Sequence, residues 1–317
     1  MSVYITDYVS TPDIESKILS GKITKKKEDA LIILVWHKKI DSDYLSQFPK
    51  LLGVIRYGVG IDNIDPEAIK ERGIYFCNTP DYGTDEVSDT VIAMIMNMTR
   101  GITSYDALSK RNTLDSWQEN TLGHLRRTSE MKLGVIGAGR IGGSVLIKAK
   151  GIGFKTAFYD LYKERGYEKM LGSQRYDTAE ELITNSDIIS VNTPLTSKTK
   201  SMVNKEFIKK MKKGSYFVNS SRGEIVEDLD FFYEPLKNRN LMGVALDVLP
   251  EEPPKDGKLI KCWRSNDEWL QGRLLINPHT SYFSREAFVE MREKAALNAQ
   301  RILENQKPFN IIFDGKK

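Results

Sequence analysis

"KLGVIGAGRIGGSVLIKAKGIGFKTAFYD", Lys132 to Asp160, is the stretch that decides the fold. An apolar run from Leu133 to Ile136 stops at Gly137, and Gly139 and Gly142 complete a G-x-G-x-x-G spacing as an amphipathic stretch opens. The first glycine permits a tight turn, the second lets backbone approach a pyrophosphate, and the third allows close packing of helix on strand. Amides at the helix start, those of Arg140 and Ile141 among them, would hold phosphates together with the positive end of the helix dipole. The next β-rich run closes on Asp160, 160 − 142 = 18 residues past the last glycine. There a carboxylate accepts hydrogen bonds from both ribose hydroxyls and repels a 2′-phosphate. A lone glycine motif is common turn punctuation. Strand, turn, helix and acidic strand end together read as a dinucleotide-binding βαβ unit, with NAD favoured over NADP.

Alternation of strand and helix continues on both sides. Upstream, "VYITDY", "ALIILVW", "LLGVIRYGVG" and "GIYFCN" read as strands with helices between them. In "NIDPEAIKERGIYF", Asp65 serves as N-cap, Pro66 takes the first helical position and Gly73 stops the helix. Downstream, "SDIISVNTP", "GSYFVNSS", "LMGVALDV" and "RLLINPH" follow the nucleotide unit, separated mostly by amphipathic segments. Both halves therefore predict an α/β fold of two doubly wound parallel sheets. Between them "DEVSDTVIAMIMNMTRGITSYDALSK" predicts one long helix, apolar almost all round near Val91 to Met98 and so buried between domains or subunits. "SREAFVEMREKAALNAQRILEN" predicts a final helix ending before Pro308.

The composition allows this and narrows the function classes. A chain of 317 residues accommodates two compact domains. The net charge of +4 is dispersed apart from short lysine runs, which gives no basic face for nucleic acid. Cys77 and Cys262 form neither a metal-ligand spacing nor a disulfide framework, and no metal is expected. The N-terminus lacks a secretory pattern, and no apolar window reaches the roughly 20 residues of a membrane span. The expectation is a soluble, cytoplasmic protein with no membrane partner.

Candidate chemistry lies at strand ends, where doubly wound sheets bind ligands. Arg222 follows "SYFVNSS", Glu252 follows "GVALDV" and His279 follows "RLLIN". A guanidinium fork can bind a carboxylate through two hydrogen bonds and polarise a neighbouring carbonyl. An imidazole can give or take a proton near neutral pH, and a carboxylate on its other nitrogen would orient it. Singly, each has a plainer reading: a turn arginine before Gly223, one of an acidic pair before prolines, and a histidine after Pro278. Together, behind a nucleotide unit, they point to hydride transfer coupled to proton transfer. His37 and His124 have no such company and read as structural or exposed.

Seven segments in order, "RYGVGIDNID", "CNTPDYGTDEVSD", "GVIGAGRIGGSV", "VNTPLTSKT", "FVNSSRGEIVED", "ALDVLPEEPP" and "NPHTSYFSRE", resemble the D-isomer-specific 2-hydroxyacid dehydrogenase family. "PDYGTDEVSDT" and the segment after His279 are most similar to the branch holding the C-terminal-binding-protein corepressors and their bacterial dehydrogenase relatives. The resemblance implies that Arg222 binds the carboxylate of a 2-oxo acid, that Glu252 supports His279, and that His279 is the acid/base. It also implies that Asp247 contacts the nicotinamide end of NAD, with Thr193 and Pro194 lining the cofactor's path and Ser220 beside them. The loop Tyr57, Gly58, Val59 and Gly60 would grip the substrate carboxylate through backbone amides. In family terms residues 1–98 with 285–317 form a smaller, flavodoxin-like substrate domain, residues 99–284 form a Rossmann NAD-binding domain, and the chain is a homodimer built partly on the long helix.

Three departures stand out. Ser88-Asp89 replaces the frequent Ala-Glu, Asn192 stands where histidine is frequent, and Tyr282 takes the place of a corepressor tryptophan. An insertion, "KDGKLIKCWRSNDEWLQGR", is expected to pack on the protein's own surface. The leading expectation is an NAD-dependent enzyme interconverting a 2-oxo acid and a D-2-hydroxy acid. Alternatives are an NAD(H)-sensing dimeric interaction protein of corepressor type, or a dehydrogenase of a small anion such as formate or phosphite.

Overall fold

The computed structural model describes residues 2–7 and 9–315. It divides into two compact units, Met1–Gly83 with Phe283–Lys317, and Thr84–Tyr282. Among the described residues, thirteen strands, numbered along the chain, form two sheets.

The first unit holds β1 (Ser2–Ile5), β2 (Ile23–Thr24), β3 (Ala30–Val35), β4 (Gly53–Arg56), β5 (Tyr75–Cys77) and β13 (Ile311–Phe313), in the order β13-β5-β4-β3-β1-β2. The first five are parallel with the flavodoxin-like order 2-1-3-4-5. β13 adds an antiparallel edge beside β5, a strand absent from the sequence reading. The helix Pro66–Arg72 forms as its residues dictate: the Asp65 carboxylate accepts from the Glu67 and Ala68 amides, and Gly73 closes it at φ 61°. The final helix, Arg285–Leu303, is capped by Ser284, whose hydroxyl accepts from the Ala287 amide. Met291, Ala295 and Ala299 bury its inner face.

The second unit holds β6 (Lys132–Ile136), β7 (Lys155–Tyr159), β8 (Gln174–Arg175), β9 (Ile188–Val191), β10 (Ser215–Asn219), β11 (Leu241–Leu246) and β12 (Leu274–Ile276). All are parallel, in the order β12-β11-β10-β9-β6-β7-β8. β9, β10 and β11 are buried along their whole length, as strands covered on both faces must be. The chain runs outward from β6 in one direction and returns to β9 for the other, so the switch point lies between β6 and β9.

Two expectations change. The long helix breaks into Thr84–Arg100 and Ile102–Ser109, because Gly101 takes the left-handed conformation at φ 64°. The unit boundary falls at Gly83, not at residue 98. Val91, Ile95 and Met98 bury themselves in the core of the second unit, and each such apolar side chain is worth about 1.5–3 kcal/mol, which ties the whole first helix there. The insertion packs as expected. Asp230 accepts from the Lys258 and Leu259 amides at the start of its helix, and Trp269 meets Tyr233 edge-on. Cys77 and Cys262 are free thiols, and no helix among the described residues is long and apolar enough to cross a membrane.

Candidate active site

The glycine turn occupies the switch point of the second sheet. Gly137 has φ 89°, and a side chain there would strike Thr193 and the Asn192 carbonyl, so the loop after β6 lies directly against the loop after β9. A Cβ on Gly142 would fall 1.9 Å from the Gly137 carbonyl oxygen, which is the close helix-on-strand approach the third glycine provides. A Cβ on Gly139 would meet nothing within 4 Å. The twelve-residue helix Arg140–Gly151 starts at Gly139 with no side-chain cap, leaving its first amides for a ligand. Arg140 is exposed and Ile141 half-buried at that start. At the end of β7 the Asp160 carboxylate accepts from the Ala138 amide at 2.8 Å and the Tyr162 amide at 2.8 Å. Each oxygen keeps an acceptor site for a ribose hydroxyl.

Arg222, Glu252 and His279 come from the loops after β10, β11 and β12, three adjacent parallel strands. His279 Nδ1 lies 2.9 Å from Glu252 Oε2, and Glu252 Oε1 accepts from the Leu249 amide at 2.9 Å. Among the described residues His279 Nε2 has no partner, so with Nδ1 committed to the carboxylate it is the nitrogen available to a substrate. Burial pushes the Glu252 carboxyl upward. The hydrogen bond with His279, that from Leu249 and the charges of His279 and Arg222 outweigh it and hold the group below the usual carboxylate range.

His279 itself sits at φ 55°, a costly conformation for a non-glycine residue. Its amide donates to the Asp247 carbonyl at 2.8 Å, and the amides of Thr280 and Ser281 each donate to Asp247 Oδ1 at 3.0 Å. Asp247 is only 2% exposed, and burial raises its carboxyl above the ordinary value. This carboxylate braces the backbone that carries His279. Arg222 is oriented from below by Asn219, whose Oδ1 accepts from the Ser221 amide at 3.0 Å and whose Nδ2 donates to the Arg222 carbonyl at 2.9 Å. A Cβ on Gly223 would lie 1.8 Å from the Leu249 carbonyl, so the Arg222 turn packs on the backbone leading to Glu252. Asn219 was absent from the sequence reading. An asparagine at a strand end before Ser-Ser-Arg-Gly was the available signal, since such side chains organise turns.

In the first unit, Gly58 has φ 118° and its amide donates to Thr79 Oγ1, while the Thr79 amide returns a bond to the Gly58 carbonyl at 3.1 Å. The Gly58 amide thus carries an internal bond. Among the described residues the Val59 and Gly60 amides have no acceptor. The Tyr57 side chain is fully buried. His37 is exposed. His124 lines a different cavity of about 840 Å³ with Arg239 and Arg273, and none of Arg222, Glu252 and His279 borders it.

Residues 92–281 match the family described as D-isomer specific 2-hydroxyacid dehydrogenase, NAD binding domain. The chain belongs to that family. A glyoxylate reductase of Korarchaeum cryptofilum is 34% identical over 289 residues, covering 90% of this chain and 82% of that protein. A D-3-phosphoglycerate dehydrogenase of Methanocaldococcus jannaschii is 30% identical over 98% of this chain, which spans 57% of that longer protein. Among solved structures, a D-lactate dehydrogenase from Aquifex aeolicus in complex with NAD and lactic acid has a TM-score of 0.84 at 24% identity, with 99% of each chain covered.

As in the family, the cofactor of this dehydrogenase is NAD, and its residues fit that group. The buried Asn192 Oδ1, Thr193 Oγ1 and Ser220 Oγ have no hydrogen-bond partner among the described residues. Thr193 follows β9, Ser220 follows β10, and both lie on the ligand side of the sheet with the open space at Gly139. Buried polar atoms are nearly always satisfied, so an orphaned set at strand ends marks where a polar ligand binds. Pro194 is exposed beside Thr193. Tyr167, also absent from the sequence reading, donates to the Ala138 carbonyl at 3.1 Å and braces the glycine turn from outside.

Proposed function

We propose that this dehydrogenase interconverts a 2-oxo acid and a D-2-hydroxy acid, with His279 as the acid/base. The observation that carries the reading is the 2.9 Å contact between His279 Nδ1 and Glu252 Oε2 beside an arginine whose charge reaches the same carboxylate. Bound NADH supplies the hydride for the carbonyl carbon. His279 Nε2 donates the proton to the substrate oxygen, and in the reverse direction accepts it. Glu252 holds the ring in the orientation that this transfer needs. The Arg222 guanidinium binds the carboxylate and draws charge toward the reacting carbonyl. In the first unit, the Val59 and Gly60 amides offer donors suited to a substrate carboxylate. We read the chain as a cytoplasmic homodimer. Ile102, Leu114 and Trp117 expose large apolar side chains after the helix Thr84–Arg100, which supports association through this region.

The test is loss of NADH absorbance with purified protein and a panel of 2-oxo acids, from glyoxylate and pyruvate to bulky aromatic and thioether analogues. Turnover that disappears in His279→Ala, with NADH binding intact, is the expected result. Equal turnover in that variant would remove His279 from the mechanism. Tight NADH binding with no oxo acid reduced would favour the nucleotide-sensing reading.

A further inference from the structure

We propose that a buried Tyr57–Glu15–Arg292 network positions the Tyr57–Gly60 loop and thereby sets affinity for the substrate's carboxylate; this rests on reading that loop as the carboxylate grip.

Glu15, on the helix Asp13–Ile18, is fully buried, and Arg292, on the helix Arg285–Leu303, is 7% exposed. Tyr57, the first residue after β4, donates its hydroxyl to Glu15 Oε1 at 2.8 Å. Arg292 donates Nε to the same oxygen at 2.9 Å and Nη2 to Glu15 Oε2 at 2.6 Å. Nη2 also meets Asp13 Oδ1 at 2.7 Å and the Thr11 carbonyl at 3.0 Å. Burial, followed by the Glu15 charge, pushes the Tyr57 hydroxyl well above its ordinary value, so it remains a donor.

A buried ion pair is a poor source of stability, because apolar side chains of similar volume often serve as well or better. What this one supplies is direction. A carboxylate locked by a guanidinium fork leaves one position for the phenol, and hence for the backbone that bears it. Tyr57 is held at both ends, since its amide donates to the Val35 carbonyl at 2.8 Å. Trp36 packs 5.9 Å from its ring and 5.5 Å from Phe288, which shares a helix with Arg292. Beyond Tyr57, Thr79 takes the Gly58 amide and Asn78 Nδ2 donates to the Val59 carbonyl at 2.7 Å. Every anchor of the loop is thus internal, and the Val59 and Gly60 amides are what it leaves for a ligand.

The test uses the full chain and the best-reduced oxo acid. Tyr57→Phe keeps the ring and deletes the one bond. The expected result is a rise of about tenfold in KM for the oxo acid, with kcat and the NADH KM within about twofold. Arg292→Lys, which keeps charge but loses the fork, should raise the same KM in the same selective way. An unchanged oxo-acid KM in Tyr57→Phe overturns the proposal, as does a joint loss of kcat, NADH affinity and melting temperature, which marks a general structural role. Gly58→Ala separates the two readings, because φ 118° is a backbone conformation that alanine rarely adopts, so the loop itself must shift. If Gly58→Ala raises the oxo-acid KM and Tyr57→Phe does not, the grip stands and the network falls. If neither does, the grip itself falls.

Discussion

Gly139 and Gly142 stand three residues apart in one motif, yet the structure predicts opposite failures for the same added methyl group. At Gly142 the methyl would lie 1.9 Å from the Gly137 carbonyl oxygen and 3.0 Å from Val135 Cγ1. Restoring an ordinary contact requires the helix start to move by about 1 Å or more. Alanine gains roughly 1 kcal/mol over glycine in a helix, whereas forcing a methyl into packed backbone costs about 1–3 kcal/mol or more, so the net effect is destabilising. Gly142→Ala should lower the melting temperature by several degrees, on the order of 2–4 °C per kcal/mol lost, and weaken NADH binding as a consequence. Gly139, at φ −73° and ψ −154°, is extended backbone that alanine adopts, and nothing of the protein lies within 4 Å of its new methyl. Gly139→Ala should therefore melt within about 2 °C of the parent, while the dissociation constant for NADH rises at least about tenfold because the methyl occupies ligand space. Thermal melts with and without NADH, together with NADH fluorescence titration, measure both. A destabilised Gly139→Ala, or a Gly142→Ala that melts normally and binds NADH normally, would refute the assignment of one glycine to the ligand and the other to the fold.

Glu252→Gln keeps size and removes charge. Opposite charges about 4 Å apart are worth roughly 4 kcal/mol at an effective dielectric of 20, and side chains 40% and 39% exposed screen that to about 1–2 kcal/mol. The value of kcat/KM should fall about 5- to 30-fold with NADH affinity unchanged; a variant within twofold of the parent removes Glu252 from the mechanism. Arg222→Ala should raise KM for the oxo acid and cut kcat together, and near-normal steady-state kinetics would contradict its role. Asp187, with its side chain 7% exposed, accepts from Lys212 Nζ at 2.7 Å, Arg126 Nη1 at 2.9 Å and the Lys132 amide at 2.8 Å. Burial opposes its ionisation, but these bonds prevail and lower its carboxyl below 3.8. A depressed carboxyl stabilises the fold above its unfolded value and loses that contribution as pH falls through the folded value. Asp187→Asn should therefore cost about 1–3 kcal/mol at pH 7, and the gap in denaturant midpoint should narrow below about pH 4; a gap constant from pH 7 to pH 3 would refute this.

How much was legible in the sequence follows from the range of the forces involved. The glycine turn, the Asp65 cap with its Gly73 stop, and the apolar runs of β3, β9, β10 and β11 are local: backbone sterics, capping bonds and burial on both faces act within a few residues. So the two parallel sheets, the cofactor class and the strand-end positions of Arg222, Glu252 and His279 could be read before any coordinate. The break at Gly101 was visible as a glycine, but an isolated glycine is tolerated in helices, and the neighbouring periodicity gave no reason to stop. What tertiary structure alone decided is pairwise and distant. Asp247 turns to the Thr280 amide across 33 residues, and Arg292 meets Glu15 across 277. No periodicity encodes such contacts. Each depends on two side chains brought together by the sheet order, so an acidic residue after a strand is equally a ligand for cofactor, a partner for histidine or a brace for a loop until packing selects one.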